Sequence, residues 1–419
     1  MYLNVTLGLS GEKVAGFMRF FGAGGKINNN GFPHLGHDLG QSEASFHRFQ
    51  YLANQFLDTA SDYTTTVSVA DGGITAQQFV FGTSTMDERG IIYSARIGLV
   101  NGTLQHYQID SNTDTIGLFD VGLTSYDDYG GEGLCATVNG LLYSAARSGV
   151  GNYIKINTKT NPITVTKYTL SNFTSSKQPT TPVRNNQGIV YQCPYGTGHD
   201  RIWKIDPYTD TVTEIGVNFN TNSTFAWNSY AFCPENNCIY GIYNRGLNNN
   251  NVLKIDTNTD TVSLVNSGLR LPNSTDGCYW GATYDPKGKK VWFFPTSIKF
   301  QIASLDPNNN DAVTTHGTYS GANGPRYLGA CLGLDGKIYS PGWAYNNFWV
   351  YDIATNTRSQ VGSLGVNNAY MGQSAILGKN GKIYLFPFNE ANGVGTISPG
   401  NNETYDLPIN YLIHHRNSH

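Results

Sequence analysis

Short apolar runs recur along this chain in one phase. An aliphatic residue followed by an aromatic one stands at Ile92-Tyr93, Leu142-Tyr143, Val190-Tyr191, Ile239-Tyr240, Val291-Trp292, Ile338-Tyr339 and Ile383-Tyr384. The intervals are 50, 48, 49, 52, 47 and 45 residues. A second apolar anchor follows each pair, at Ile109-Asp110, Ile156-Asn157, Ile205-Asp206, Ile255-Asp256, Leu305-Asp306, Tyr351-Asp352 and Ile397-Ser398. Polar turn formers fill the gaps, typically Asp-x-x-Thr-x-Thr after the second anchor. Every unit holds four strand-length runs; in the sixth they cover 328–334, 337–341, 348–353 and 357–364. Four short antiparallel strands in a unit of about 45 residues make a propeller blade. The pattern therefore predicts an all-β chain: a seven-bladed β-propeller of four-stranded antiparallel blades, with a non-repeat N-terminal segment containing a short helix.

The expected boundaries are 1–62 for that segment, 63–412 for the propeller and 413–419 for a polar tail. Within the first, 21–40 is a Gly/Asn-rich loop, and Ser42 caps a helix over about 42–60. Phe46, Phe49, Ala53, Phe56 and Leu57 share one face of it. That face either packs beneath the ring or attaches the chain to a larger assembly or to further copies of itself. Two segments compete to supply the last outer strand and latch the ring: 64–69, which resembles Thr261-Val262-Ser263-Leu264, and 403–407.

Composition narrows the picture. Charged residues make up 14% of 419, against roughly 25% in an ordinary soluble domain, while aromatics reach 13%. Disorder is excluded by the aromatics, and a net charge of −3 gives no support to a phosphate-binding face. No run of 18 apolar residues predicts a membrane span, and the first twenty residues do not read as a secretory signal. The six cysteines show no zinc spacing and read as buried thiols, although Cys233 and Cys238 flank one short turn and could face each other.

The text Ile205-Asp206-Pro207-Tyr208-Thr209-Asp210-Thr211-Val212 and Ile255-Asp256-Thr257-Asn258-Thr259-Asp260-Thr261-Val262 resembles the YVTN-type propeller repeats of surface-layer proteins. It is similar also to the viral-type repeats of large viruses and phages, which place Gly-Lys-Ile-Tyr-x-x-Pro ahead of such a segment. Gly336-Lys337-Ile338-Tyr339-Ser340-Pro341 and the run from Gly381 to Pro387 have that form. The resemblance covers about four-fifths of the chain and implies fold far more than function.

In a blade whose strands run outward from the axis, the first and third turns share one face. The other face carries the loops between second and third strands and the connections between blades. The first set is uniform here and the second varies from blade to blade. Trp343, Tyr345, Arg245 and His199 fall in the variable loops. Trp280, Tyr327, Tyr370 and Trp227 stand where inner strands begin, beside the axial mouth. Aromatic rings with planar amides and cations suit a sugar or a protein surface, so these eight residues are the candidate ligand site. The second four serve equally as wedges between blades.

No catalytic motif is present: Gly372-Gln373-Ser374-Ala375-Ile376 fails as a nucleophile elbow at its last position. Asp110-x-Asn112-x-Asp114 and its equivalents lack the later ligands of a calcium loop and read as turns. His34 and His37 have no third metal ligand at a recognisable spacing. No cofactor or metal is expected. The resulting expectation is a non-enzymatic virion structural or attachment protein. It would contact other virion proteins through residues 1–62 and a host-surface glycan or receptor through the variable face, with no nucleic acid and no membrane insertion. The alternatives are a secreted or cell-surface binding propeller, and a propeller lyase or glycan hydrolase.

Overall fold

A strand held between two neighbouring sheets has no solvent side, so its apolar residues run together instead of alternating. The repeated anchors behave this way. Ile92, Leu142, Val190, Ile239, Val291, Ile338 and Ile383 are all fully buried, and the aromatic after each is buried on the opposite face. The outermost strands meet water and alternate, as in Thr164–Thr169, where Thr and Lys face out.

The structure is a computed structural model and describes residues 68–70, 84–100, 102–124, 133–137, 140–144, 152–160, 162–169, 178–195, 201–216, 226–245, 251–266, 268, 279–295, 301–317, 329–342, 347–363, 371–387 and 394–398. Its strands form seven four-stranded antiparallel sheets, six in simple chain order from the axis outward and the seventh completed by an N-terminal strand. Blade I comprises Thr85–Met86, Ile91–Val100, Thr103–Asp110 and Thr115–Asp120. Blade II comprises Leu134–Ala136, Leu141–Ser144, Asn152–Asn157 and Thr164–Thr169. Blade III comprises Gln178–Arg184, Val190–Tyr195, Ile202–Asp206 and Thr211–Ile215, and blade IV Ala226–Cys233, Cys238–Arg245, Asn251–Asp256 and Thr261–Asn266. Blade V comprises Tyr279–Asp285, Lys290–Pro295, Ile302–Asp306 and Ala312–His316. Blade VI comprises Cys331–Leu332, Lys337–Pro341, Asn347–Asp352 and Thr357–Ser363. Blade VII takes Met371–Leu377, Ile383–Pro387 and Val394–Ile397, and its outer strand is Ser68–Ala70.

That last strand closes the ring. Ser68 pairs with Thr396 and Ala70 with Val394, so the N-terminal candidate occupies the outer position of blade VII. Residues 64–67, the competing 403–407 and the helix expected at 42–60 lie outside the described residues. The inner strand of blade VI is shorter than its apolar run, Cys331–Leu332 within the expected 328–334. The connection between the second and third strands of blade I, expected from the sequence as a variable loop over 96–106, is instead a hairpin: Arg96 pairs with His106 and Val100 with Thr103, which leaves only Asn101-Gly102 between them in the chain. Asn-Gly between alternating residues is itself the local signal for that hairpin.

The Asp-x-x-Thr-x-Thr turns do two jobs. The first Asp closes the turn on its own backbone, as where the Asp256 Oδ1 accepts from the amides of Asn258 and Thr259 at 2.9 and 3.3 Å. The last Asp adopts a left-handed conformation, φ 61° at Asp114, 57° at Asp210 and 56° at Asp260. Its carboxylate then grips the preceding blade. Asp260 accepts from Tyr191 Oη at 3.1 Å and Lys204 Nζ at 2.5 Å. Asp311 takes Tyr240 and Lys254 in the same way, and Asp210 takes Lys155 and Tyr168. Burial pushes the Asp210 carboxyl up, but the Lys155 and Tyr168 donors outweigh it and hold the group below its ordinary range. Across the closure, Asp114 of blade I binds Lys382 and Tyr384 of blade VII. Between blades V and VI all three partners change together: Trp292 stands for the Tyr, Ser304 for the Lys and Asn356 for the Asp.

The five described thiols, Cys135, Cys193, Cys233, Cys238 and Cys331, are buried as expected, and Cys278 lies outside the described residues. Cys135 pairs with Tyr143 and Cys331 with Tyr339, one equivalent slot in two blades. Cys233 and Cys238 are direct cross-strand partners and both are free. Burial pushes the Cys238 thiol up to about 12.

Candidate functional site

The uniform face carries the turns and clamps; the candidate ligand residues belong to the opposite face, where inner strands begin and second strands end. Four inner strands break register there. In blade III, Pro179 pairs with Pro194 and Thr181 with Cys193, leaving Thr180 as an extra residue. In blade IV, Trp227 pairs with Tyr243 and Ser229 with Ile242, leaving Asn228. In blade V, Tyr279 pairs with Pro295 and Gly281 with Phe294, leaving Trp280. Blade VII leaves three, Gly372, Gln373 and Ser374, between the Met371 and Ala375 pairs. In each case the irregularity lies opposite the residue two places after the repeat's aromatic. A bulge takes a residue out of the ladder and is a common device beside binding sites. The register thus places Thr180, Asn228 and Trp280 at one level around the axial mouth, with Gln373 in the irregular stretch of blade VII beside them. By residue type these are a hydroxyl, two amides and an indole, without a charge.

Blade V shows how one such position is supported. Tyr279 is buried and its hydroxyl donates to the Gln301 carbonyl oxygen at 2.9 Å, tying the start of the inner strand to the start of the third. Trp280 is half-buried beside it. At Gly281 a Cβ would lie 2.6 Å from the backbone carbon and oxygen of Gly329, so two inner strands touch here and only glycine fits. The Tyr-x-Gly motif therefore combines a structural tyrosine, a bulged residue and a close backbone approach.

Among the sequence-derived candidates, Trp280 occupies a bulge. Trp227 and Arg245 lie at the same end of the blade IV hairpin, Trp227 opposite Tyr243 and Arg245 opposite Ala226. Trp343, Tyr345, His199, Tyr327 and Tyr370 lie outside the described residues. Sequence reasoning missed Thr180, Asn228 and Gln373, because a bulge has no hydrophobic signature of its own. The aromatic-x-Gly ends of the inner strands were the available clue.

Two histidines are described, and neither is on an inner strand. His106 is fully buried in blade I, its Nδ1 donating to the Ser94 carbonyl oxygen at 2.9 Å. His316, on the outer strand of blade V, has Nε2 2.8 Å from Ser304 Oγ and packs on the Trp292 ring at 4.7 Å. Burial, with a smaller effect from Lys290, lowers its pKa below the ordinary 6.5. Among the described residues no cluster of His, Cys, Asp or Glu is arranged to hold a metal.

No protein-family model matches the chain, and no curated protein sequence matches it. Solved structures do match. A catalytically inactive variant of virginiamycin B lyase from Staphylococcus aureus, solved with quinupristin, superposes with a TM-score of 0.60 at 14% identity, over 80% of this chain and 99% of the lyase. A streptogramin B lyase gives 0.60 at 16% identity, over 81% and 99%. PorZ, a bacterial surface component of the type-IX secretion system of Porphyromonas gingivalis, gives 0.56 at 12% identity, over 77% of this chain and 47% of PorZ. The likeness is one of fold. It supports the seven-bladed reading of the repeat, and none of these neighbours speaks for a virion origin.

Proposed function

We propose that this chain is a binding propeller working at a surface or outside a cell, whose axial mouth on the variable face takes a neutral polar ligand such as a surface glycan. The observation that carries this reading is the bulge repeated in blades III, IV and V, which brings hydroxyl-, amide- and indole-bearing residues to one level, with the irregular stretch of blade VII beside them. Planar amides pair with sugar hydroxyls, and an indole face stacks on the apolar face of a sugar ring. Some neighbours of similar fold are extracellular or surface components, PorZ among them, which supports the location.

A second reading, lyase activity, draws on the two lyases of similar fold. One of them is inactivated by replacing a single histidine. In this chain both described histidines stand away from the inner strands, and His199 of the variable face lies outside the described residues.

Glycan-array binding followed by calorimetry tests the proposal. Trp280→Ala is expected to weaken binding about tenfold or more, in line with loss of a central aromatic anchor, and to leave the thermal midpoint near that of the parent. Consumption of the bound ligand, or equal affinity in the variant, would overturn it.

A further inference from the structure

The seam between blades II and III, like that between blades I and II, has a core of its own, but among the described residues it carries more unpartnered polar atoms. Its core is a separate small cluster of Cys135, Tyr143, Tyr153, Val190, Trp203 and Ile205. Buried polar atoms without a partner concentrate around it, among them Tyr143 Oη, Ser144 Oγ, Tyr153 Oη, Gln192 Oε1 and Arg184 Nε. Arg184 is the outlier. It closes the inner strand of blade III, opposite Val190. The six positions in equivalent register are Met86, Ala136, Phe232, Tyr284, Leu332 and Leu377, all buried and none charged.

The guanidinium has five N–H donors but makes one hydrogen bond among the described residues, from Nη1 to the Ala136 carbonyl oxygen of blade II at 3.3 Å. Arg184 is only 2% exposed. Among the described residues no carboxylate pairs with it: Glu88, the acid that bears on it electrostatically, is held by Lys159 Nζ at 2.5 Å and by the Gly140 amide at 3.1 Å. Burial alone pulls its pKa below the ordinary value. A buried cation without a counter-charge is costly, and Arg does not lose its proton to escape that cost.

We propose that this seam binds a small inorganic monoanion of the halide class on the Arg184 guanidinium. The near-complete burial excludes a bulky acid. The backbone on which Arg184 rests is fixed from the far side, the Ala136 amide donating to Thr85 Oγ1 of blade I at 2.8 Å, so a larger ligand would have to force neighbouring inner strands apart. The site lies at the opposite end of the inner strands from the glycan mouth and does not depend on it. Its role is structural: the anion supplies the charge that lets blades II and III close around an arginine.

Two measurements test this on the full chain. Crystals grown in bromide should show an anomalous peak beside the Arg184 guanidinium. At equal ionic strength, the melting point in chloride should exceed that in methanesulfonate by about 2 °C, as expected for a site near saturation. Arg184→Met, which restores the apolar column, should abolish both effects. Water alone at the guanidinium in the bromide crystals, or a melting point that ignores the anion, overturns the proposal. If Arg184→Met does not fold, the bromide peak and the salt comparison on the parent chain still decide it.

Discussion

The clamp between blades IV and V gives the most direct test of how this repeat holds its ring together. In Asp311→Asn the backbone is undisturbed, since Asn tolerates the left-handed conformation that Asp311 adopts at φ 57°. What changes is the charge facing Tyr240 at 2.5 Å and Lys254 at 2.6 Å. At an effective dielectric of about 20, the ion pair alone has a gross attraction of roughly 6 kcal/mol. Most of that is offset by desolvation. Breaking one side of a fully buried pair costs about 3–5 kcal/mol, and the side chain of Lys254 is 26% exposed, so water recovers part of the loss. The expected destabilisation is therefore about 2 kcal/mol. With an unfolding entropy near 2.1 cal/mol/K per residue over 419 residues, that is a drop of about 2 °C. Urea unfolding of Asp311→Asn, Lys254→Met and the double variant measures the coupling. A value above about 1 kcal/mol is expected for partners in contact, and one within about 0.3 kcal/mol of zero would refute the clamp. The V–VI junction supplies a control: adding Tyr240→Trp and Lys254→Ser to Asp311→Asn copies the natural Trp292, Ser304 and Asn356 set and should recover stability relative to Asp311→Asn.

Gly281→Ala should cost about 1–3 kcal/mol, because its methyl group would meet the Gly329 backbone, read as a lower urea midpoint; an unchanged midpoint would mean the inner strands of blades V and VI are not in contact. His316 titrates below 6.5 when folded, so the unfolded chain binds its proton first as pH falls. Its contribution to stability is complete above that ordinary value and declines as pH drops through it toward the folded pKa. Unfolding midpoints should therefore fall from pH 7 to 5 more steeply in the parent than in His316→Gln, and parallel curves would dismiss the effect.

The blade count was legible because each blade must bury a strand on both faces at the same place. That demand writes an aliphatic–aromatic pair and a second apolar anchor into the sequence at every repeat. The aspartate of each Thr-Asp-Thr was legible only as turn chemistry. Its second role, gripping the tyrosine and lysine of the preceding blade, needed two segments about 50–70 residues apart to be brought together, as with Tyr191 and Asp260. Ring closure needed the same: both N-terminal and C-terminal segments had strand character, and pairing of Ser68–Ala70 with the edge of blade VII decided between them. The candidate site was half legible. Trp280 stood out as an aromatic before glycine at the start of an inner strand, whereas Thr180 and Asn228 are ordinary residues made distinctive by a register shift.

By itself, then, the order of residues determined the seven units, the strand pattern within each and which face would be uniform. These are local consequences of side-chain burial and turn formation, repeated until they are unmistakable. Tertiary structure alone decided which carboxylate binds which blade, which segment latches the ring and which residues are lifted out of the ladder at the mouth. It also revealed that Arg184 occupies a column otherwise apolar, because charge burial depends on what surrounds a residue and not on its neighbours in the chain.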